Sequence, residues 1–375
     1  MLNALLVALA ATLPIEGEEG GVPVEAGAPA PASTTVFRAS KLHLGDGTVL
    51  DDGVLIVQNG VITQVGSKLE VPKGAGVIEH DGAISPGLIA LHSYDGAGAE
   101  LHDGTREVLP EAEARHAFAS GHSDFRRACH AGITSLVLAP TPEGLVGGQS
   151  VVVKTSGGKV VKDSAHLALG LSSRALNSNA FPTSYAGAMQ ELDRMFAGGE
   201  GAFGRALSGS LPVLMEVSDR AETMRALALA KKHRLQGALY GSIWAEELAP
   251  QLAESQLSVI TTPFDVGDSE RQVRSVIALG EAGVRFGFGL DAPARHPESL
   301  RFGAALCVRG GLGADAALRA LTGDAAAIAG ASGRIGRLAR GLDADLVLWS
   351  GEPTALTSQL EAVYIDGKLV HGGDQ

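Results

Sequence analysis

Val77-Ile-Glu-His-Asp-Gly-Ala-Ile-Ser-Pro-Gly-Leu-Ile-Ala-Leu-His92 is the point at which the chain passes from one kind of pattern to another. Upstream, from Thr35 to about His80, lie short runs rich in β-branched residues: Thr35-Val-Phe-Arg-Ala39, Gly53-Val-Leu-Ile-Val-Gln58 and Val61-Ile-Thr-Gln-Val65. They are broken at Gly45-Asp46-Gly47 and at Asn59-Gly60, and the Asn-Gly pair is a strong signal for a tight hairpin. Downstream, from Ile84 to about Ala331, apolar strand-like runs alternate with helical patterns, the signature of a parallel sheet covered by helices.

The strand-like runs fall at Pro86 to Ser93, Thr134 to Pro140, His166 to Leu171, Pro212 to Val217, Gly237 to Ser242, Ser258 to Pro263 and Val284 to Leu290. That is one short of a (β/α)8 barrel, and the missing strand is expected between Ser172 and Leu211. There, however, Ser184 to Phe196 reads as a helix and Gly198 to Gly209 is glycine-rich, so the barrel is expected to be irregular. Arg220 to His233 and Ser269 to Ala282 are the clearest helices by propensity and apolar spacing. Residues 148–161 read as a β-hairpin inserted after the second strand. Beyond Ala331 the chain returns to β, with Asp345-Leu-Val-Leu-Trp349 and Ala362-Val-Tyr-Ile-Asp-Gly-Lys-Leu-Val370. Strand-rich segments at both ends imply a composite domain, because chain termini often lie close together. The expected architecture is a TIM-like (β/α)8 barrel over 84–331 with a small β-sandwich domain built from 35–83 and 332–375.

A barrel of roughly 250 residues plus a smaller domain suits a chain of this length. Thirty Lys and Arg against 42 Asp and Glu give a net charge of −12, which opposes binding to nucleic acid or to an anionic membrane face. Cys129 and Cys307 are far apart and outside any C-x-x-C spacing, so they read as two unpaired structural thiols. Residues 1–13 form a short apolar run containing Ala8-Leu9-Ala10, which reads as a signal peptide and points to a periplasmic or secreted protein, although no basic residue precedes Arg38. The run is too short to span a bilayer, which takes ~20 apolar residues. Residues 14–34 read as a linker rich in Glu, Gly, Ala and Pro.

Four segments, in this order, resemble the amidohydrolase superfamily and within it the imidazolonepropionase-like branch: Val77 to His92, Ala131-Gly-Ile-Thr-Ser-Leu-Val137, Gly289-Leu-Asp291-Ala-Pro293, and Gly336 to Trp349. The resemblance spans about residues 35–373. It implies hydrolysis of C–N bonds in amides, imides or cyclic ureides, with one or two divalent ions at the C-terminal ends of the barrel strands. Such an ion lowers the pKa of its bound water to about 7 and polarises the carbonyl. The resemblance also implies the ligand pattern: His-x-His on the first strand, a His on each of the fifth and sixth, and on the eighth an Asp that takes the proton.

On this chain the first position is His92, but the second is Tyr94, the strand-five position falls on Glu216, and the strand-six position on Tyr240. Asp291 alone matches among the later ligands. Catalytic zinc ordinarily has three protein ligands, and a neutral tyrosine is a poor one because its pKa is near 10. Tyr94 and Tyr240 are therefore expected to fill the volume of the absent imidazoles and to hydrogen-bond across the pocket. His92, Glu216 and Asp291 would make a reduced ligand set suited to a harder ion than zinc, with Asp291 as general base. As purely structural residues, His92 would be a hydrogen-bonded strand-end histidine and Asp291 a helix N-cap. His102, His116, His122 and His130 read as surface or packing residues.

Two functions of different class follow. One is a hydrolase of C–N bonds, with a small-molecule substrate and a remodelled divalent-metal site. The other is a non-catalytic relative without metal that binds a ligand or pairs with an active amidohydrolase. Homo-oligomers are common among barrel hydrolases of this type.

Overall fold

Asn59 and Gly60 both adopt positive φ, 51° and 81°, the backbone of a tight two-residue hairpin loop. They join strands β2 (Val49–Gln58) and β3 (Val61–Gly66), and β1 (Thr34–His43) pairs antiparallel to β2 on its other side. β4 (Gly76–Pro86) pairs parallel to β1 and carries the chain towards the barrel. The computed structural model describes residues 33–93, 101, 103, 105–140, 143–177, 179–241, 244–264 and 269–373. The expected signal peptide at 1–13, nearly all of the linker expected at 14–34, Tyr94 and His102 lie outside the described residues.

Next come β5 (Leu88–Ser93), β6 (Ile133–Leu138), β7 (Val146–Gln149), β8 (Val151–Lys154), β9 (Val160–Lys162), β10 (Leu167–Gly170), β11 (Val213–Glu216), β12 (Gly237–Gly241), β13 (Ser258–Thr261) and β14 (Phe286–Phe288). Every residue of β5 and β6 is buried, as expected of strands covered on both faces. β5 pairs parallel to β6, and β10 through β14 pair in parallel one after another. β7 and β8 form one stretch of chain broken at Ser150, where β7 runs antiparallel to β10 and β8 antiparallel to β6. β8 and β9 form the expected inserted hairpin.

The eighth strand is therefore not where the sequence pattern places it. β10 pairs directly with β11, Leu167 opposite Val213 and Gly170 opposite Glu216, which leaves no place for a strand between them. Among the described residues the interval holds two α-helices instead, Tyr185–Gly198 and Gly201–Leu207. Among the described residues no ladder joins β14 to β5, so the strands form one sheet of six and one of four rather than a closed barrel. The backbone N–H groups of Leu290 and Asp291 nonetheless both donate to the carbonyl of His92 at 2.9 Å across that seam.

At the C-terminal end β15 (Leu346–Trp349) pairs antiparallel to β4, and β16 (Leu360–Ile365) and β17 (Lys368–Gly372) extend the sheet. Seven strands from both ends of the chain thus make a single sheet, in the order β17-β16-β15-β4-β1-β2-β3, where two facing sheets of a sandwich are expected. Lys154, fully buried at the end of β8, joins this sheet to the inserted hairpin. Its ammonium meets Asp343 at 2.8 Å, Asp345 at 3.0 Å and Asp366. No described helix is long and apolar enough to cross a membrane.

Candidate functional site

His92, Glu216, Tyr240 and Asp291 reach one end of the strand array because each sits at or just beyond the C-terminal end of its strand. Glu216 and Tyr240 are register partners on β11 and β12. The loop after β11 is held rigidly. Asp219 caps the helix Arg220–His233, accepting from the Glu222 N–H at 2.7 Å. The Glu222 carboxylate accepts from the Ser218 N–H at 2.7 Å, the Ser218 hydroxyl at 2.8 Å, the Ser173 N–H at 3.0 Å and the Tyr185 hydroxyl at 2.5 Å. Although burial opposes it, these donors hold Glu222 below the usual carboxylate range, and they tie the loops after β10 and β11 together. Nothing in the sequence singles out Glu222 except its place three residues after an N-cap Asp.

At the centre of the site, His92 Nδ1 lies 2.7 Å from Asp291 Oδ1, a bond in which an imidazole N–H donates to a carboxylate. The Tyr240 hydroxyl lies 2.5 Å from both Asp291 oxygens. Its ring stacks on His92 with centroids 3.8 Å apart and planes inclined by 13°. Gly289 admits the two rings: a Cβ there would sit 2.9 Å from the Thr261 carbonyl, 3.1 Å from Tyr240 Cε2 and 3.3 Å from His92 Cβ. Asp291 adopts φ 53° and caps no helix; the next helix begins only at Ser299. His92 is a hydrogen-bonded histidine at the end of β5.

Glu216 stands apart from this trio. It is 9% exposed, and among the described residues its Oε2 has no hydrogen-bond partner. Burial raises its pKa, opposed by the Ser172 hydroxyl and the charge of Arg174. It lines a cavity of about 10 Å³ with His92, Tyr240, Leu169 and Leu214.

The structure thus brings His92 and Asp291 together and leaves Glu216 outside their hydrogen bonds. Among the described residues no group of three or more His, Cys, Asp or Glu side chains is placed to hold a metal ion. The described donors fall short of the three protein ligands that a catalytic metal ordinarily has: Asp291 is bonded to His92 Nδ1 and to the Tyr240 hydroxyl, and Glu216 stands apart from both. The remaining histidines serve elsewhere. His116 is exposed, His122 accepts from the Asp124 N–H at a helix start, and His130 stacks on His371 with centroids 4.0 Å apart.

This strand order matches that of solved amidohydrolase structures. The pattern of the amidohydrolase family matches residues 216–370. The structure is similar to that of an amidohydrolase from Thermotoga maritima, with 23% identity over 90% of this chain and all of that one, at a TM-score of 0.80. It is also similar to a prolidase solved with N-methylphosphonate-L-proline (16% identity, 91% of this chain and 100% of that one, TM-score 0.60). A third likeness is to the ochratoxinase of A. niger (17%, 91% and 96%, TM-score 0.56). Among curated proteins no sequence matches. The chain has an amidohydrolase-like fold and carries the sequence pattern of that family from Glu216 to Val370, less than half of its length.

Proposed function

We propose that this chain is a non-catalytic amidohydrolase relative that binds a small molecule, alone or alongside an active relative. The observation that carries the reading is the Tyr240 hydroxyl set 2.5 Å from both oxygens of Asp291. In the family resemblance Asp291 is the metal ligand and proton acceptor, and here both of its oxygens lie against the hydroxyl of a tyrosine standing at the position of a ligand histidine. Export fits the same reading, through the apolar run at 1–13, and the charge of −12 argues against a nucleic-acid partner. Metal analysis of the purified chain tests it. A folded protein free of stoichiometric metal is expected, and about one equivalent of bound ion that is lost on His92→Ala overturns the reading.

A second reading is favoured by the orphan Oε2 of Glu216, which shares a cavity with His92. It is a hydrolase of cyclic amide C–N bonds, as the likeness to the imidazolonepropionase-like branch suggests, with Glu216 and His92 binding a hard divalent ion and Asp291 as base. Turnover of a hydantoin, imidazolone or dipeptide that disappears on Asp291→Asn would establish it. No turnover across that panel would remove it.

A further inference from the structure

We infer that the cavity at the end of β11 receives the primary ammonium head of a small amine, with the Glu216 carboxylate as its partner. The inference rests on the reading that the donors around His92 hold no metal ion. Its ground is the buried Oε2 of Glu216, without a hydrogen-bond partner among the described residues, on a side chain that lines a cavity of about 10 Å³. That space admits one group the size of a water molecule, and an ammonium is such a group. Walls of Pro140, Ala168, Leu169 and Leu214 keep the surroundings apolar, so a charge pair formed there is screened less than one in water.

The identity of the head group follows from charge. Among the described residues no basic side chain forms an ion pair with Glu216. Arg174 is half-exposed and lies 3.5 Å from Glu143, and His92 directs Nδ1 to Asp291. A buried carboxylate without a counter-charge is unfavourable, and a ligand cation is what the site lacks. An alcohol or water would satisfy the oxygen but not the charge, and an anion would meet both Glu216 and Asp291. A primary ammonium is small enough and brings donors with the charge.

Calorimetric titration of the full chain with n-butylammonium, against n-butanol and n-butyrate as matched probes, tests this at pH 7. The ammonium is expected to bind at least about tenfold more tightly than the alcohol, and Glu216→Gln to remove about that factor. Butyrate is expected not to bind. Equal binding of butanol, an unchanged affinity in Glu216→Gln, or no heat from the amine up to about 50 mM overturns the inference. The comparison of probes uses the unaltered protein, so it holds even where the variant misfolds. Metal content measured on the same sample separates the two readings. Stoichiometric metal lost on His92→Ala sinks the non-catalytic reading and this inference with it; a metal-free chain that ignores the amine sinks this inference alone.

Discussion

The Tyr240 hydroxyl is equidistant, at 2.5 Å, from the two carboxylate oxygens of Asp291, and the ring that carries it lies flat on His92. Because His92 Nδ1 also bonds Asp291, and the Leu290 and Asp291 N–H groups both bond the His92 carbonyl, three strand ends are locked through one carboxylate. Removing the hydroxyl leaves a carboxylate without one of its donors while the stacked ring stays in place. Tyr240→Phe is expected to destabilise the fold by about 1–3 kcal/mol, read from the midpoint of urea denaturation. An unchanged midpoint would mean that the hydroxyl makes no net contribution.

If Tyr240 stands where a ligand imidazole would be, putting the imidazole back should restore metal uptake. The variant Tyr240→His would offer His92, a new imidazole and a released Asp291, three ligands of a tetrahedral site with one open position. It is expected to take up about one equivalent of zinc, measured by elemental analysis after dialysis, where the parent chain takes up little. Failure of the folded variant to gain zinc would show that more than this one side chain separates the site from a metal centre.

The strand runs were legible because residues buried on both faces must be apolar in succession, as Ile133–Leu138 and Leu88–Ser93 are. Val146–Lys154 was only half legible. Gly147-Gly148-Gln149-Ser150 reads locally as a loose turn, yet Gly148 is a strand residue whose Cβ would fall 2.5 Å from the Ala112 carbonyl. That crowding comes from a segment distant in sequence, and so does the pairing that makes this stretch the link between β6 and β10. Tyr240 and Asp291 were legible as candidates through the resemblance. Their mutual contact depends on the level at which β12 and β14 end and on the space left by Gly289, which no local pattern encodes. Glu222 was missed for a similar reason: on a helix it reads as an ordinary solvated carboxylate, and only the fold brings Tyr185 and Ser173 to it.

His166 supplies a test of pH dependence. It is fully buried, with Nε2 at 2.8 Å from the Ile328 carbonyl and Nδ1 at 3.1 Å from the Ser150 hydroxyl, and burial pushes its pKa down from 6.5 to about 4. Between these values the unfolded chain binds the proton and the folded chain does not, so stability rises with pH across the window. The contribution is complete above about pH 6.5 and is lost progressively as pH falls towards 4, amounting to about 3 kcal/mol. Urea midpoints at pH 7 and pH 4.5 are expected to differ more in the parent chain than in His166→Gln. Equal pH slopes in the two proteins would place the titration elsewhere.

Lys154 carries the largest expected loss. Its side chain is inaccessible to solvent, and its ammonium is held among Asp343, Asp345 and Asp366, with Arg334 also on Asp343 at 2.8 Å and Lys159 on Asp366 at 2.9 Å. Asp345 is itself buried, its pKa raised by desolvation against the pull of Lys154. A buried ion pair often contributes little beyond a well-packed apolar substitute, but deleting one partner strands the charges it balanced. Lys154→Met keeps most of the stem and removes the ammonium, leaving three carboxylates with two half-exposed cations at the periphery. It is expected to cost about 3–5 kcal/mol in urea denaturation, and Lys154→Met combined with Asp345→Asn to recover part of that loss by relieving the most deeply buried negative charge. Strictly additive losses in the double variant would show that Lys154 and Asp345 are not coupled, and that the hairpin is held to the sheet by packing rather than by this ion cluster.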